Sequence, residues 1–251
     1  MDTIFITGTA GSGKSLLASR LLQYQQDNDQ FSVILNLDPG VINLPYEPHV
    51  DIRDYIDIHT LMDTYDLGPN GSLLMASDMV AARLQEIQTE VDDLNPDCVI
   101  VDTAGQIELF AFRASGLYFV SNFHADNKAM IFAFDGMLVS SPVNYVSVLL
   151  LASSVRLRLK TSQINVLTKR DLIIERLKSV LEWSTSISAL ESSLNSEKDT
   201  LSSLLSKDLV RAAAKSGLME GLVAVSSLTM SGMVNLTAAL ARILHHGEDR
   251  V

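Results

Sequence analysis

The chain contains a single cysteine, Cys98, among 251 residues. No internal disulfide can form, so stability must come from a packed core, and a reducing cytoplasm is the expected location. Basic residues are scarce too. Lys and Arg number 19 against 30 Asp and Glu, a formal net charge of −11. Such a surface repels nucleic acid and anionic membranes, which argues against either as a direct partner. Long apolar runs are missing: the most apolar stretch, 146–155, is followed by Arg156 and is too short to span a bilayer. Met1-Asp2-Thr3-Ile4 leads straight into a strand-like segment with no basic region ahead of an apolar one, so no signal peptide is expected. The histidines, His49, His59, His124, His245 and His246, lack acidic or cysteine neighbours at metal-ligand spacing and read as ordinary surface or core residues.

What is present is a globular composition, 47% hydrophobic and 20% charged. Short runs rich in Ile, Val and Phe at 3–7, 32–37, 98–102, 129–134, 163–168 and 222–226 alternate with helical patterns. Near-continuous apolar runs suit strands buried on both faces, so the expected fold is α/β: a doubly wound, mostly parallel sheet flanked by helices. About 60 residues separate the second and third runs, long enough for a parallel crossover where a tight hairpin would force an antiparallel pair. The chain reads as a single domain over 1–251 with helical insertions at about 52–95 and about 172–220. The second is serine-rich, with Leu190, Leu194, Leu201, Leu205 and Leu209 at broadly helical intervals. It reads either as an amphipathic insertion packed on the domain or as a partner surface or lid.

Gly8-Thr9-Ala10-Gly11-Ser12-Gly13-Lys14-Ser15 follows a predicted strand and opens a predicted helix. That is the phosphate-binding loop pattern in the context it requires. Backbone amides point at phosphate oxygens, Lys14 reaches the β- and γ-phosphates, and the Ser15 hydroxyl ligates Mg2+. Asp102-Thr103-Ala104-Gly105-Gln106 ends the third strand. Asp102 is placed to hold Mg2+, Gly105 to offer its amide to the γ-phosphate, and Gln106 to orient the attacking water. Glu108 has two open readings, positioning water or capping a helix. Asp38-Pro39-Gly40 is either ordinary turn chemistry or a carboxylate near Mg2+ or the water.

Thr168-Lys169-Arg170-Asp171 follows the fifth strand and resembles the base-reading motif of GTPases. A carboxylate offers only acceptors, which match the N1–H and exocyclic amine of guanine but not the N1 acceptor of adenine. The Lys169 stem can lie over the base, and Ser226 or Ser227 is placed to offer an amide to guanine O6. Gly68-Pro69-Asn70 joins two helical segments. Gly ends a helix, Pro follows a helix end and Asn is a good N-cap, so local physics alone explains the tripeptide.

The ordered set of Gly8 to Ser15, Asp38-Pro39, Gly68-Pro69-Asn70, Asp102 to Glu108 and Thr168 to Asp171 resembles the GPN-loop GTPases. The resemblance implies GTP hydrolysis to GDP with Mg2+, Asp38 near the catalytic water, and a homodimer in which Gly68-Pro69-Asn70 of one subunit reaches the other's nucleotide. It also implies a nucleotide-driven switch acting on a client complex such as RNA polymerase subunits, with the compact length closest to the single archaeal type. Thr9 stands where many relatives in the wider all-parallel class have a lysine, and Ala104 where many members have Pro. Two rival readings remain. One is a small-molecule or nucleotide kinase using Arg156, Arg158 and Lys160 as a phosphate clamp; the other is a nucleotide-locked scaffold with negligible turnover.

Overall fold

Seven strands pair side by side in the computed structural model, which describes residues 1–196 and 200–245. They are β1 (Asp2–Gly8), β2 (Ser32–Asn36), β3 (Val50–Asp51), β4 (Cys98–Asp102), β5 (Asn127–Asp135), β6 (Ser162–Thr168) and β7 (Val223–Ala224). Their order is β3-β2-β4-β1-β5-β6-β7 and every pairing is parallel. Six of these were expected from the apolar runs. The edge strand β3 was not, because two residues carry no periodic signal; it forms where Val50 and Asp51 pair with Leu35 and Asn36.

Helices connect the strands: α1 (Lys14–Gln26), α2 (Ile58–Tyr65), α3 (Pro69–Met79) and α4 (Leu84–Leu94) come first. The second group is α5 (Ile107–Phe110), α6 (Ala114–Asn122) and α7 (Pro142–Leu159). The last are α8 (Ile174–Thr185), α9 (Ile187–Asn195), α10 (Thr200–Lys215) and α11 (Met233–His245). Strand side chains alternate between two cores. On one face Ile4, Ile6, Ile100 and Ile131 pack against Leu17 and Leu21 of α1 and Leu236 and Leu240 of α11. On the other, Phe5, Val99, Val101, Phe132 and Phe134 pack against the remaining helices. Both faces are covered, which is why the strands read as near-continuous apolar runs.

The first insertion begins with a 3-10 turn at Ile52–Asp54 rather than one helix, then α2, α3, a 3-10 turn at Val80–Arg83 and α4. In the second, Trp183 of α8 meets Tyr145 of α7 at 5.9 Å between ring centres, and Leu190, Leu194 and Val210 are fully buried. Leu205 is 63% exposed, so it stands outside the packed stripe. The side chain of Leu201, and His246, lie outside the described residues. Among the described residues no helix is long and apolar enough to cross a membrane. The 146–155 stretch lies inside α7, where Val146, Leu149, Ala152 and Val155 are buried.

β1 is the fourth and central strand of the seven, flanked by β4 and β5. The chain leaves β1 toward β2 on one side and β4 toward β5 on the other, so the C-terminal ends of this pair form the switch point where an open α/β fold usually has its ligand crevice. The loops after β1, β2, β4, β6 and β7 converge at that edge.

Candidate active site

The loop after β1 turns back on itself through glycines. Gly13 has φ of 85° and forms the cap of α1. A side chain at Gly8 would lie 2.8 Å from the Ala133 carbonyl of β5, so only glycine lets the loop leave the sheet here. Lys14 is 5% exposed, and its ammonium donates to the carbonyls of Gly8 (3.2 Å), Thr9 (2.9 Å) and Gly105 (3.0 Å). Burial lowers its pKa from the ordinary lysine value, while Asp102 and Asp38 hold it up. A cation so placed, above a ring of amides at the start of a 13-residue helix, is suited to an anion.

Asp102 ends β4 at 1% exposure. Burial pushes its carboxyl up to about 6, against the Ser15 and Tyr46 hydroxyls and the Lys14 charge, which all favour ionisation. Tyr46 donates to Oδ2 at 2.8 Å, while Oδ1 has no hydrogen-bond partner. A buried, orphaned carboxylate oxygen beside a serine hydroxyl is the hard donor pair that Mg2+ takes, so Asp102 and Ser15 fit the metal. The raised pKa has a sign. The folded chain binds this proton more tightly than the unfolded one, so the stability contribution is present at low pH and is lost as pH rises from about 4 to above 6. In nucleotide-free protein the loss is on the order of 2–3 kcal/mol. Thermal melts from pH 4 to 7 should therefore show Asp102→Asn gaining on the wild type as pH rises. A constant difference between the two would contradict the burial argument.

Asp38 leaves β2 and bridges two loops. Its Oδ2 accepts the Gly105 amide at 2.7 Å and its Oδ1 the Gly40 amide at 2.9 Å. The buried Asn36 fixes it from below, accepting the Asp38 amide (3.0 Å) and donating to the Asp38 carbonyl (3.2 Å) and to Asp51 (2.8 Å). Turn chemistry and site placement therefore coincide at Asp38. Gln106 and Glu108 are exposed, and neither side chain has a partner among the described residues. Gln106 takes the cap position of α5 without a side-chain cap bond, so Glu108 is not a capping residue there.

On the other side of the loop, a cavity of about 180 Å3 is lined by Gly13, Leu16, Thr168, Lys169, Asp171, Leu172, Ser227 and Leu228. Lys169 adopts φ of 56° and donates to the Gly11 carbonyl (2.7 Å) and to Asp135 (2.8 Å), which lays its stem beside Gly13. The half-buried Asp171 carboxylate has no partner among the described residues. The buried Thr168 hydroxyl donates to the Ser12 carbonyl at 2.7 Å and so ties two loops together, and Thr168 also lines the cavity. One expectation needs correcting. The Ser226 amide is already donated to the Ser231 carbonyl at 2.9 Å, which leaves Ser227 as the residue facing the cavity.

Gly68, Pro69 and Asn70 are exposed at the start of α3. Gly68 is the cap and Pro69 the first helical residue, so Asn70 lies inside the first turn and makes no cap bond. The expectation of Asn70 as a helix cap is overturned: the cap position falls two residues earlier. Arg156 pairs with Glu220 at 2.5 Å, and Arg158 donates to the Phe112 carbonyl at 3.0 Å. Both lie at the end of α7 that leads into the start of β6, the sheet edge opposite the phosphate loop, so they cannot clamp a phosphate there. Among the described residues no cluster of His, Cys, Asp and Glu could hold a metal ion by itself.

Residues without a sequence signal complete the site. Tyr46 and Asn36 brace Asp102 and Asp38. Asp135 holds Lys169, and Arg20 of α1 donates to the Ser227 carbonyl at 3.1 Å. Their only trace in the sequence is polarity at strand ends and in a helix.

Comparison with known proteins places this site in context. Residues 6–246 match the family described as conserved hypothetical ATP binding protein. The chain is 31% identical to GPN-loop GTPase QQT2 of Arabidopsis thaliana over 212 residues, 81% of this chain and 55% of the relative. It is 33% identical to GPN-loop GTPase PAB0955 of Pyrococcus abyssi over 180 residues, 71% of each. The crystal structure of PAB0955, a GTPase in apo form, superposes with a TM-score of 0.84 at 27% identity, covering 97% of both chains. The chain spans about half the length of several curated relatives that it matches. The chain belongs to the GPN-loop GTPase family.

Proposed function

We propose that this chain binds GTP and hydrolyses it to GDP and phosphate with Mg2+, as a homodimer that works as a nucleotide-dependent switch in the cytoplasm. The carrying observation is the cavity beside Gly13, where the unpartnered Asp171 carboxylate and Ser227 flank a slot roofed by the Lys169 stem. An acceptor-only group at that end suits the two donors of guanine. The matching family description names ATP, so titration calorimetry with both nucleotides is the direct test. GTP binding far exceeding ATP supports the reading, and equal affinities overturn it.

In this reading the amides of Gly8 to Ser15 (with Thr9, Ala10, Gly11, Ser12 and Gly13 between) and the Lys14 ammonium hold the phosphates, and Ser15 and Asp102 hold the metal. Mg2+ supplies charge neutralisation on the β- and γ-phosphate oxygens. Gly105 reads the γ-phosphate, and Asp38, Gln106 and Glu108 are the candidates for orienting water. The resemblance assigns Gly68-Pro69-Asn70 to the second subunit's site, and the client, such as RNA polymerase subunits, follows from the same resemblance.

Asn70 supplies the sharpest test of the dimer. Its carboxamide is exposed and does no capping, so it contributes nothing evident to one subunit's stability. Asn70→Ala should leave the melting temperature unchanged and lower kcat by roughly 10-fold, as for one lost transition-state hydrogen bond. Asn70→Ser, too short to reach across an interface, should behave the same way. Turnover per subunit should fall on dilution. Full activity in the serine variant would reduce the tripeptide to a helix connection.

A further inference from the structure

The Gly105 amide, which the proposed reading gives to the γ-phosphate, is already donated to an anion of the chain itself, the Asp38 carboxylate at 2.7 Å. An amide carries one proton, so a phosphate oxygen and a carboxylate oxygen cannot both take it at full strength. The arrangement is built. Asn36, with no exposure to solvent, bonds both backbone groups of Asp38, and the Gly40 amide takes the second carboxylate oxygen at 2.9 Å. Lys14 donates to the carbonyl of the same Gly105 at 3.0 Å, so the cation due to the γ-phosphate is tied to the same residue. Among the described residues none of the amides from Gly11 to Ser15, where a β-phosphate would sit, is bonded to a carboxylate; the Ser12 amide is donated to the Thr9 carbonyl at 3.2 Å. We infer that Asp38 sets the discrimination between GTP and GDP, acting as an internal competitor for the one amide that only the γ-phosphate needs.

This inference rests on the phosphate-site reading above and adds a specificity role to Asp38. GTP has to displace the carboxylate, whereas GDP ends short of it. Displacement also frees Gly40, whose backbone packs so closely on Leu73 of α3 that an added Cβ would lie 2.3 Å from that side chain.

The experiment measures the affinity of a non-hydrolysable GTP analogue and of GDP, with Mg2+, for wild type, Asp38→Ala and Asp38→Asn. Removing a charge-assisted competitor should tighten the analogue by about tenfold, while GDP changes less than twofold. Asparagine, a neutral and weaker acceptor, should fall between. The gain should persist from 0.05 to 0.5 M salt, since competition for a donor is not screened as a through-space repulsion is. Melting curves establish that each variant is folded, and the asparagine variant serves if alanine is not. An unchanged ratio of the two affinities overturns the inference, as does an equal, salt-sensitive gain for both nucleotides. Wild-type protein that binds neither nucleotide removes the site reading and this inference together; GDP binding with an unchanged ratio removes this inference alone.

Discussion

Lys14→Ala loses tight binding of both GTP and GDP. The ammonium is buried and held by three carbonyls, so it is poised at the phosphate loop. A phosphate chain entering that space meets a desolvated cation. Truncating one member of such a pair costs about 2–5 kcal/mol, roughly 30- to 5,000-fold in affinity. Calorimetric titration checks it, and melting curves with saturating nucleotide give a second reading, because a ligand that binds only the folded state raises the melting temperature. The wild type should show that rise and the variant should not. Normal affinity in Lys14→Ala would mean that the loop after β1 is a structural turn.

Asp171→Asn should change which base is held. The carboxylate sits free in the 3-10 turn Arg170–Leu172, on the wall of the cavity beside Gly13. Guanine presents two donors to it. An asparagine keeps one acceptor for N1–H and turns a donor toward the exocyclic amine, where donor meets donor. Xanthine carries an oxygen at that position and restores the pair. Sites that depend on such hydrogen bonds discriminate by about 10⁴-fold, so GTP should weaken by roughly 10³-fold or more and XTP should become the better ligand. Competition between the two triphosphates on one preparation checks this without reference to absolute activity. A variant that still prefers GTP would show that Asp171 does not read the base.

Much of this was legible in the sequence because phosphate binding leaves few choices. The loop after β1 needs glycine where the backbone crowds β5 and where φ is positive, and Gly8 and Gly13 stand there. Strands buried on both faces announce themselves as apolar runs, which is why β1, β4 and β5 were readable. The edge strand β3 was not, because its two residues are fixed by pairing with β2 alone. Tyr46, Asn36, Asp135 and Arg20 were invisible for a related reason. Tyr46, Asp135 and Arg20 act across the fold on partners distant in the chain, and nothing in spacing connects Tyr46 to Asp102 or Arg20 to Ser227; Asn36 acts on nearby Asp38, but a buried strand asparagine carries no motif. Register in loops was the other difficulty. Composition offers Ser226 and Ser227 equally, but the hydrogen bond from Ser226 to Ser231 assigns only one of them to the cavity. At Gly68-Pro69-Asn70 the residue types signalled a helix start correctly, and the cap fell on glycine because proline sets the first helical position.

The central place of β1 has a consequence for how the chain comes into being. β1 is made before the other six strands of the sheet, yet its two sheet neighbours begin only at Cys98 and Asn127. Until those segments leave the ribosome, both edges of a strand that is almost wholly buried in the fold lack their permanent partners, the condition in which nascent chains mispair or call on chaperones. Contacts so distant in sequence also close slowly. The slot around Gly13 is completed later still, by Asp171 and finally Ser227. A nascent chain therefore carries its most recognisable motif well before the rest of the site and gains the ability to hold a nucleotide only once Ser227 has been made.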